Sequence, residues 1–288
     1  MELGVCLSGG GIKGAAHIGV LQALEEKNIK FNYISGTSSG SIVAGLYACG
    51  YKPKEIYELF KIYCNEIEYI DFKNIFKIIK SLIFKKKLLI DGLNSGYKLE
   101  KIIARACNEK NIANINEIDL NLYIPAVNLE DGEIYYFYSK KNNTNRNRFS
   151  DNIKYINDAK IEKVIRASCS FPGIFSPCEF GDVKLLDGGI RENTPWKELK
   201  KNGADKILAV NFETKKKKEY SEKNLVEILL HSLDIMEHEL ANYELDGIDY
   251  LITVKTDKIS LLDASKLEYL YNMGYNEGKK ILEKEKII

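Results

Sequence analysis

Five residues, Gly36-Thr37-Ser38-Ser39-Gly40, lie between a short apolar run and a helix of small residues. Such a strand–turn–helix lifts the middle serine out of the backbone. Its flanking glycines fit a sharp, strained turn whose neighbours must lack Cβ atoms so that backbone and substrate can come close. Acyl transfer through Ser38 is the chemistry this turn implies.

A second glycine turn stands upstream. Gly9-Gly10-Gly11-Ile12-Lys13-Gly14 follows the apolar run Leu3–Leu7 and opens a helix near Ala15. Free N–H groups at a helix start bind anions, either the oxyanion of an acyl-transfer intermediate or a phosphate. Gly9, Gly11 and Gly14 match the dinucleotide spacing, but the next strand, Phe31–Ser35, runs into the serine turn instead of ending on a ribose-binding carboxylate. A Walker loop fails as well, because Lys13 precedes Gly14 and Ala15 stands where Ser or Thr would bind magnesium. The oxyanion reading is therefore preferred over a phosphate cradle and over a plain tight turn.

A serine nucleophile needs a base. Of three histidines, His231 and His238 lie in Leu225–Leu245, a helical pattern without loops to project an imidazole, and His17 sits inside the first helix. None has the position of a triad base, and each is assigned a helix-face or packing role, His17 being nearest the site. Asp187-Gly188-Gly189 ends a strand-like segment, Val183–Leu186, and is either a plain turn or the missing base.

Taken together these residues resemble the patatin-like phospholipases. The glycine loop with its basic residue, Gly-x-Ser-x-Gly and Asp-Gly-Gly stand in the family's order. Ala167-Ser168-Cys169-Ser170-Phe171-Pro172-Gly173-Ile174-Phe175-Ser176-Pro177 is similar to the family's Ala-Ser-x-Ala-x-Pro-x-x-Phe-x-Pro block, with Ser170 in place of Ala, and Asn193-Thr194-Pro195 fits too. The resemblance runs from Glu2 to about Val210. It implies a lipid acyl hydrolase with a Ser–Asp dyad: Ser38 the nucleophile, Asp187 its base, Gly10 and Gly11 N–H groups the oxyanion hole, and Gly9 shaping the loop. Lys13, Gly14, Gly36, Gly40, Gly188 and Gly189 complete the motifs. An aspartate near its ordinary pKa is a weak base, so the dyad is expected to gain basicity as the acyl chain excludes water. Lys13 either faces an anionic head group or is a solvated helix-start lysine. No metal or other cofactor is implied.

The fold expected is a patatin-like three-layer α/β/α sandwich with a mostly parallel central sheet, in one domain over residues 1–288, since no internal repeat or linker divides the chain. The coarse pattern agrees: strands at Glu2–Leu7, Phe31–Ser35, Leu120–Leu129, Glu133–Tyr138, Ile207–Phe212 and Tyr250–Val254. Helices are predicted at Ala15–Lys27, Gly40–Gly50, Pro53–Asn65, Lys98–Asn108, Ile161–Ala167 and Ser265–Glu283, with a long one before Tyr250. Asp131-Gly132 reads as a hairpin turn, and Lys140–Asn152 as a surface loop.

Lysine and arginine number 42 against 41 acidic residues, so the overall charge favours neither nucleic acid nor an acidic partner. The exception is local: Phe72–Ile90 interleaves lysines with apolar residues and contains no acid. It is a candidate lid or peripheral membrane-docking element, or else a helix packing on the core and solvating its lysines. Lys215–Lys218 reads as a solvated loop. The six cysteines have no framework spacing and read as reduced and buried. With no signal-like start and no apolar stretch of about 20 residues, a cytosolic protein is expected, peripheral at most on a membrane; export without a cleaved signal stays open. Phospholipase A or lysophospholipase activity is the first reading. An esterase or thioesterase on non-membrane substrates is the second, and a non-catalytic lipid-binding protein the third.

Overall fold

In the computed structural model, residues 1–67, 92–140, 152–213, 245–256 and 263–285 are described, with a few isolated positions besides. The segments Phe72–Ile90 and Lys215–Lys218, His231, His238, nearly all of Lys140–Asn152 and most of Leu225–Leu245 lie outside the described residues.

The two glycine turns build the centre. Strand β1 (Leu3–Leu7) leads through a 3-10 turn, Gly11–Lys13, into α1 (Gly14–Glu26), and β2 (Tyr33–Gly36) leads through Thr37 and Ser38 into α2 (Ser39–Ala48). Helices α3 (Pro53–Ile67) and α4 (Tyr97–Glu109) follow, then the hairpin β3 (Asn121–Asn128) and β4 (Ile134–Tyr138), closed at Gly132 with φ +74. Strand β5 (Ile153–Ile156) and helix α5 (Ile161–Ser168) precede the short hairpin β6 (Cys178–Phe180) and β7 (Val183–Asp187). The chain continues through α6 (Trp196–Lys201), β8 (Lys206–Glu213), β9 (Tyr250–Lys255) and α7 (Leu267–Lys284).

The strands join in the order β5-β4-β3-β2-β1-β8-β9, with β7 also paired to β3 and β6 to β7. Strands β1, β2, β3, β8 and β9 run parallel, and β4 and β7 run antiparallel to β3. Alternation along each strand separates two cores. Val5 and Leu7 of β1, with Leu208 and Val210 of β8, meet α1 and α2 on one face. Cys6, Ile207 and Ala209 turn to the other, against Trp196 and Leu199 of α6. Two helical layers thus enclose a mainly parallel sheet, the expected α/β/α sandwich.

Helix α1 is buried on nearly every side because α7 covers the face turned from the sheet. The helices approach backbone to backbone: a Cβ on Gly19 would fall on the Tyr271 carbonyl, and one on Gly274 on that of Ala16. Gly274→Val is therefore expected to lower stability by about 2–3 kcal/mol through overpacking. A urea midpoint unchanged from the parent's would contradict so close a crossing.

Strands β5 and β6 and helix α6 were not apparent from the pattern. They contain four, three and six residues, too few to establish a period.

Candidate active site

Strand β3 acts as a ruler for the site. Ser35 of β2 pairs with Tyr123, and Asp187 of β7 with Ala126, on the same edge of β3. Since β2 runs parallel to β3 and β7 antiparallel, their C-terminal ends converge on the gap beside Ile124 and Pro125. Ser38 leaves one end and Asp187 the other. Gly188 crosses the gap so tightly that a Cβ would sit 2.6 Å from the Pro125 carbonyl oxygen. That carbonyl points into the gap, as does the proline nitrogen, which has no hydrogen to leave unpaired there.

Ser38 has φ +53 and ψ −124, a conformation that costs a non-glycine residue on the order of 1–3 kcal/mol. Surrounding bonds hold it in place. Its N–H donates to Ser168 Oγ at 3.1 Å; its carbonyl accepts from the Ser41 hydroxyl at 2.6 Å and the Cys169 thiol at 3.2 Å. Gly36 and Gly40 do not supply the positive φ; they permit contact. A Cβ on Gly36 would strike the Gly40 carbonyl, and one on Gly40 the Leu7 carbonyl. The strain falls on the serine, whereas the glycines bring α2 against β1.

Asp187 is 1% exposed. Its Oδ1 accepts from Gly189 N–H at 2.8 Å, and its own N–H donates to the Ser170 carbonyl at 3.1 Å. Burial raises its pKa from 3.8 to about 7, with the Gly189 N–H and the Ser38 hydroxyl pulling the other way. Oδ2 makes no bond of full strength among the described residues. The Ser38 hydroxyl is thus near enough to stabilise the carboxylate without being tightly bound to it. The desolvation expected from an incoming acyl chain is already provided by the fold.

One turn therefore serves both residues. Ser168 and Cys169 hold Ser38, and Ser170 holds Asp187, all at the end of α5. Arg166, 2% exposed, braces that turn: its guanidinium donates to Ser170 Oγ at 2.5 Å and to the Ser95 and Ser176 carbonyls at 2.9 and 2.6 Å. These roles were not evident from the Ala167–Pro177 motif, since the bonds to Ser38 span about 130 residues.

The glycine loop lies alongside. A Cβ on Gly9 would come 3.3 Å from Ser38 Cβ. Gly9 N–H donates to Asn193 Oδ1 at 2.8 Å, while the N–H groups of Gly10 and Gly11 meet no acceptor among the described residues. Gly11, at φ +59, takes a turn that suits glycine alone. Lys13 is only 7% exposed, so the solvated-lysine alternative does not hold. Gly14 packs on Phe60 and Ser39. His17 is wholly buried, with its pKa lowered to about 4 by desolvation. Beyond Asp187, the Glu192 carbonyl accepts from Thr37 Oγ1 and the Pro195 carbonyl from Ser35 Oγ, both at 3.0 Å, fastening this segment to the serine strand.

Among the described residues no cluster of His, Cys, Asp and Glu has the form of a metal site, and no helix is long and apolar enough to cross a membrane.

A family model described as Patatin-like phospholipase matches residues 5–200. Lysophospholipase NTE1 of Debaryomyces hansenii is 31% identical over 73% of this chain, and that of Saccharomyces cerevisiae 30% over 73%. The match takes in only 12% and 11% of those relatives' lengths. Among solved structures, VipD from Legionella pneumophila superposes with a TM-score of 0.54 at 15% identity, covering 98% of this chain and 67% of its own. ExoU in the ExoU–SpcU complex of Pseudomonas aeruginosa gives 0.54 at 18%, covering 99% and 51%. At such identities the structural likeness speaks to the fold alone.

Proposed function

The chain belongs to the patatin-like phospholipase family, and from that premise we propose that it is a lipid acyl hydrolase working through a Ser38–Asp187 dyad. The observation that carries this reading is the meeting of a backbone-strained Ser38 with a buried Asp187 whose pKa is raised to about 7. A carboxyl so poised is a competent base at neutral pH.

In the proposed cycle Ser38 Oγ attacks the acyl carbonyl as its proton passes to Asp187. The N–H groups of Gly10 and Gly11 take the developing oxyanion. Asp187 returns the proton to the departing alcohol oxygen, and the C–O bond of the ester breaks. A water then gives its proton to Asp187 and attacks the acyl-Ser38, releasing the fatty acid and restoring the serine. The curated relatives are named lysophospholipases, which makes single-chain phospholipids the first substrates to try. Phe72–Ile90 remains the candidate for peripheral membrane contact.

Vesicles of diacyl phospholipid and micelles of lysophospholipid, each incubated with the protein, are expected to release free fatty acid measurable by mass spectrometry. Turnover of short soluble esters with neither lipid cleaved would instead favour a non-membrane esterase. The pH dependence follows from the base. Asp187 must be ionised to accept the proton, so kcat/KM on a soluble ester should be half-maximal near pH 7 and fall about tenfold per unit below it. A flat profile from pH 5 to 9 would remove Asp187 from the role.

A further inference from the structure

The peptide bond between Ser8 and Gly9 immediately precedes Gly10 and Gly11, whose N–H groups meet no acceptor among the described residues. Its carbonyl accepts from His17 Nε2–H at 2.8 Å, and its N–H donates to Asn193 Oδ1 at 2.8 Å. A carbonyl can only accept, so His17 carries its proton on Nε2. The two side chains reach this peptide from α1 and from the segment after Asp187, and both are buried.

We propose that His17 and Asn193 form a two-sided clamp that positions the oxyanion glycines over Ser38. The proposal rests on the hydrolase reading above. A peptide unit is planar, so fixing its oxygen and its hydrogen fixes the whole plane. Such fixing matters here because the next three residues in the loop, Gly9 to Gly11, have the softest torsions a chain can have. Without the two bonds the Ser8–Gly9 plane can rotate, and the Gly10 and Gly11 N–H groups turn with it. Donors to an oxyanion act only when about 2.7–3.1 Å from the place it will occupy. Neighbouring contacts agree with a positioning role. Ser8 N–H is anchored on the Val210 carbonyl at 3.1 Å. The Phe212 ring lies tilted at 40° against His17 with centroids 4.7 Å apart and closes the space beneath Gly10, where a Cβ would lie 2.6 Å from its ring. The depressed basicity of His17 keeps the imidazole neutral, so it serves as a fixed donor rather than a proton carrier.

The test uses the full chain, a soluble ester, and a fluorophosphonate that labels Ser38. His17→Phe keeps a ring and removes the donor; Asn193→Leu keeps the volume and removes the side-chain acceptor, leaving Gly9 N–H only its longer bond to the Asn193 carbonyl at 3.3 Å. Each is expected to lower kcat and the labelling rate by about 10- to 100-fold with KM within about twofold, the pattern of a lost transition-state contact. His17→Gln, which restores a donor at similar reach, should recover most of the loss. The half-maximal pH should stay where the parent has it, since Asp187 is untouched. Because both bonds hold one plane, the double variant should lose little more than the worse single. Folded single variants with kcat within twofold of the parent, or losses that multiply in the double variant, would overturn the clamp. If His17→Phe fails to fold, shown by its far-UV dichroism, Asn193→Leu decides by the same criteria. A parent that neither hydrolyses ester nor takes the label overturns the hydrolase reading, and the clamp with it.

Discussion

Ser38→Ala is expected to lower kcat by roughly four to six orders of magnitude, the range seen when a serine nucleophile is removed from a site whose other parts remain. Binding should survive, because Ser38 is held by its backbone: its N–H by Ser168, its carbonyl by Ser41 and Cys169. None of these bonds uses the hydroxyl. Alanine also tolerates the positive φ no worse than serine does, so the variant should fold and still adsorb to lipid. Two measurements separate a lost nucleophile from a damaged site: fatty-acid release and lysolipid binding on the same preparation. Activity within tenfold of the parent would eliminate Ser38 as nucleophile, whatever its strain.

The proposed nucleophile and its proposed base could be named from the sequence because each stands beside glycines: at fixed spacing around Ser38, and two in a row after Asp187. Helices and strands of eight residues or more were legible for a similar reason, their periods being long enough to see. What supports the site was not. Ser168, Cys169 and Ser170 stood in a recognisable block, yet their bonds to Ser38 and Asp187 depend on how β2 and β7 converge along β3. Spacing along the chain carries no record of that convergence. His17 could be placed as the histidine nearest the site, but not assigned a partner, since its bond to the Ser8 carbonyl forms only when α1 packs beside the loop. Gly36 and Gly40 admit neighbouring backbone, and the strained torsion belongs to the serine between them.

The same burial that suits Asp187 for catalysis should weaken the fold, and the sign of that effect can be worked out. Its folded pKa, about 7, lies above the 3.8 of an unfolded aspartate. Between those values the folded chain binds a proton that the unfolded chain has lost, so stability from this group is full below about pH 4 and declines as pH rises to 7. A shift of about three units corresponds to about 4 kcal/mol by pH 8. Asp187→Asn keeps the Oδ1 acceptor for Gly189 and removes the charge. It should therefore be more stable than the parent at pH 8 by up to that amount, and nearly equal to it at pH 4. Urea unfolding of both proteins at the two pH values gives the difference directly, with other titrating groups cancelling between them. The variant should also be inactive, so one substitution exchanges catalysis for stability. An Asp187→Asn protein no more stable than the parent at pH 8 would mean that the carboxylate is solvated or paired, and its raised basicity would go with it.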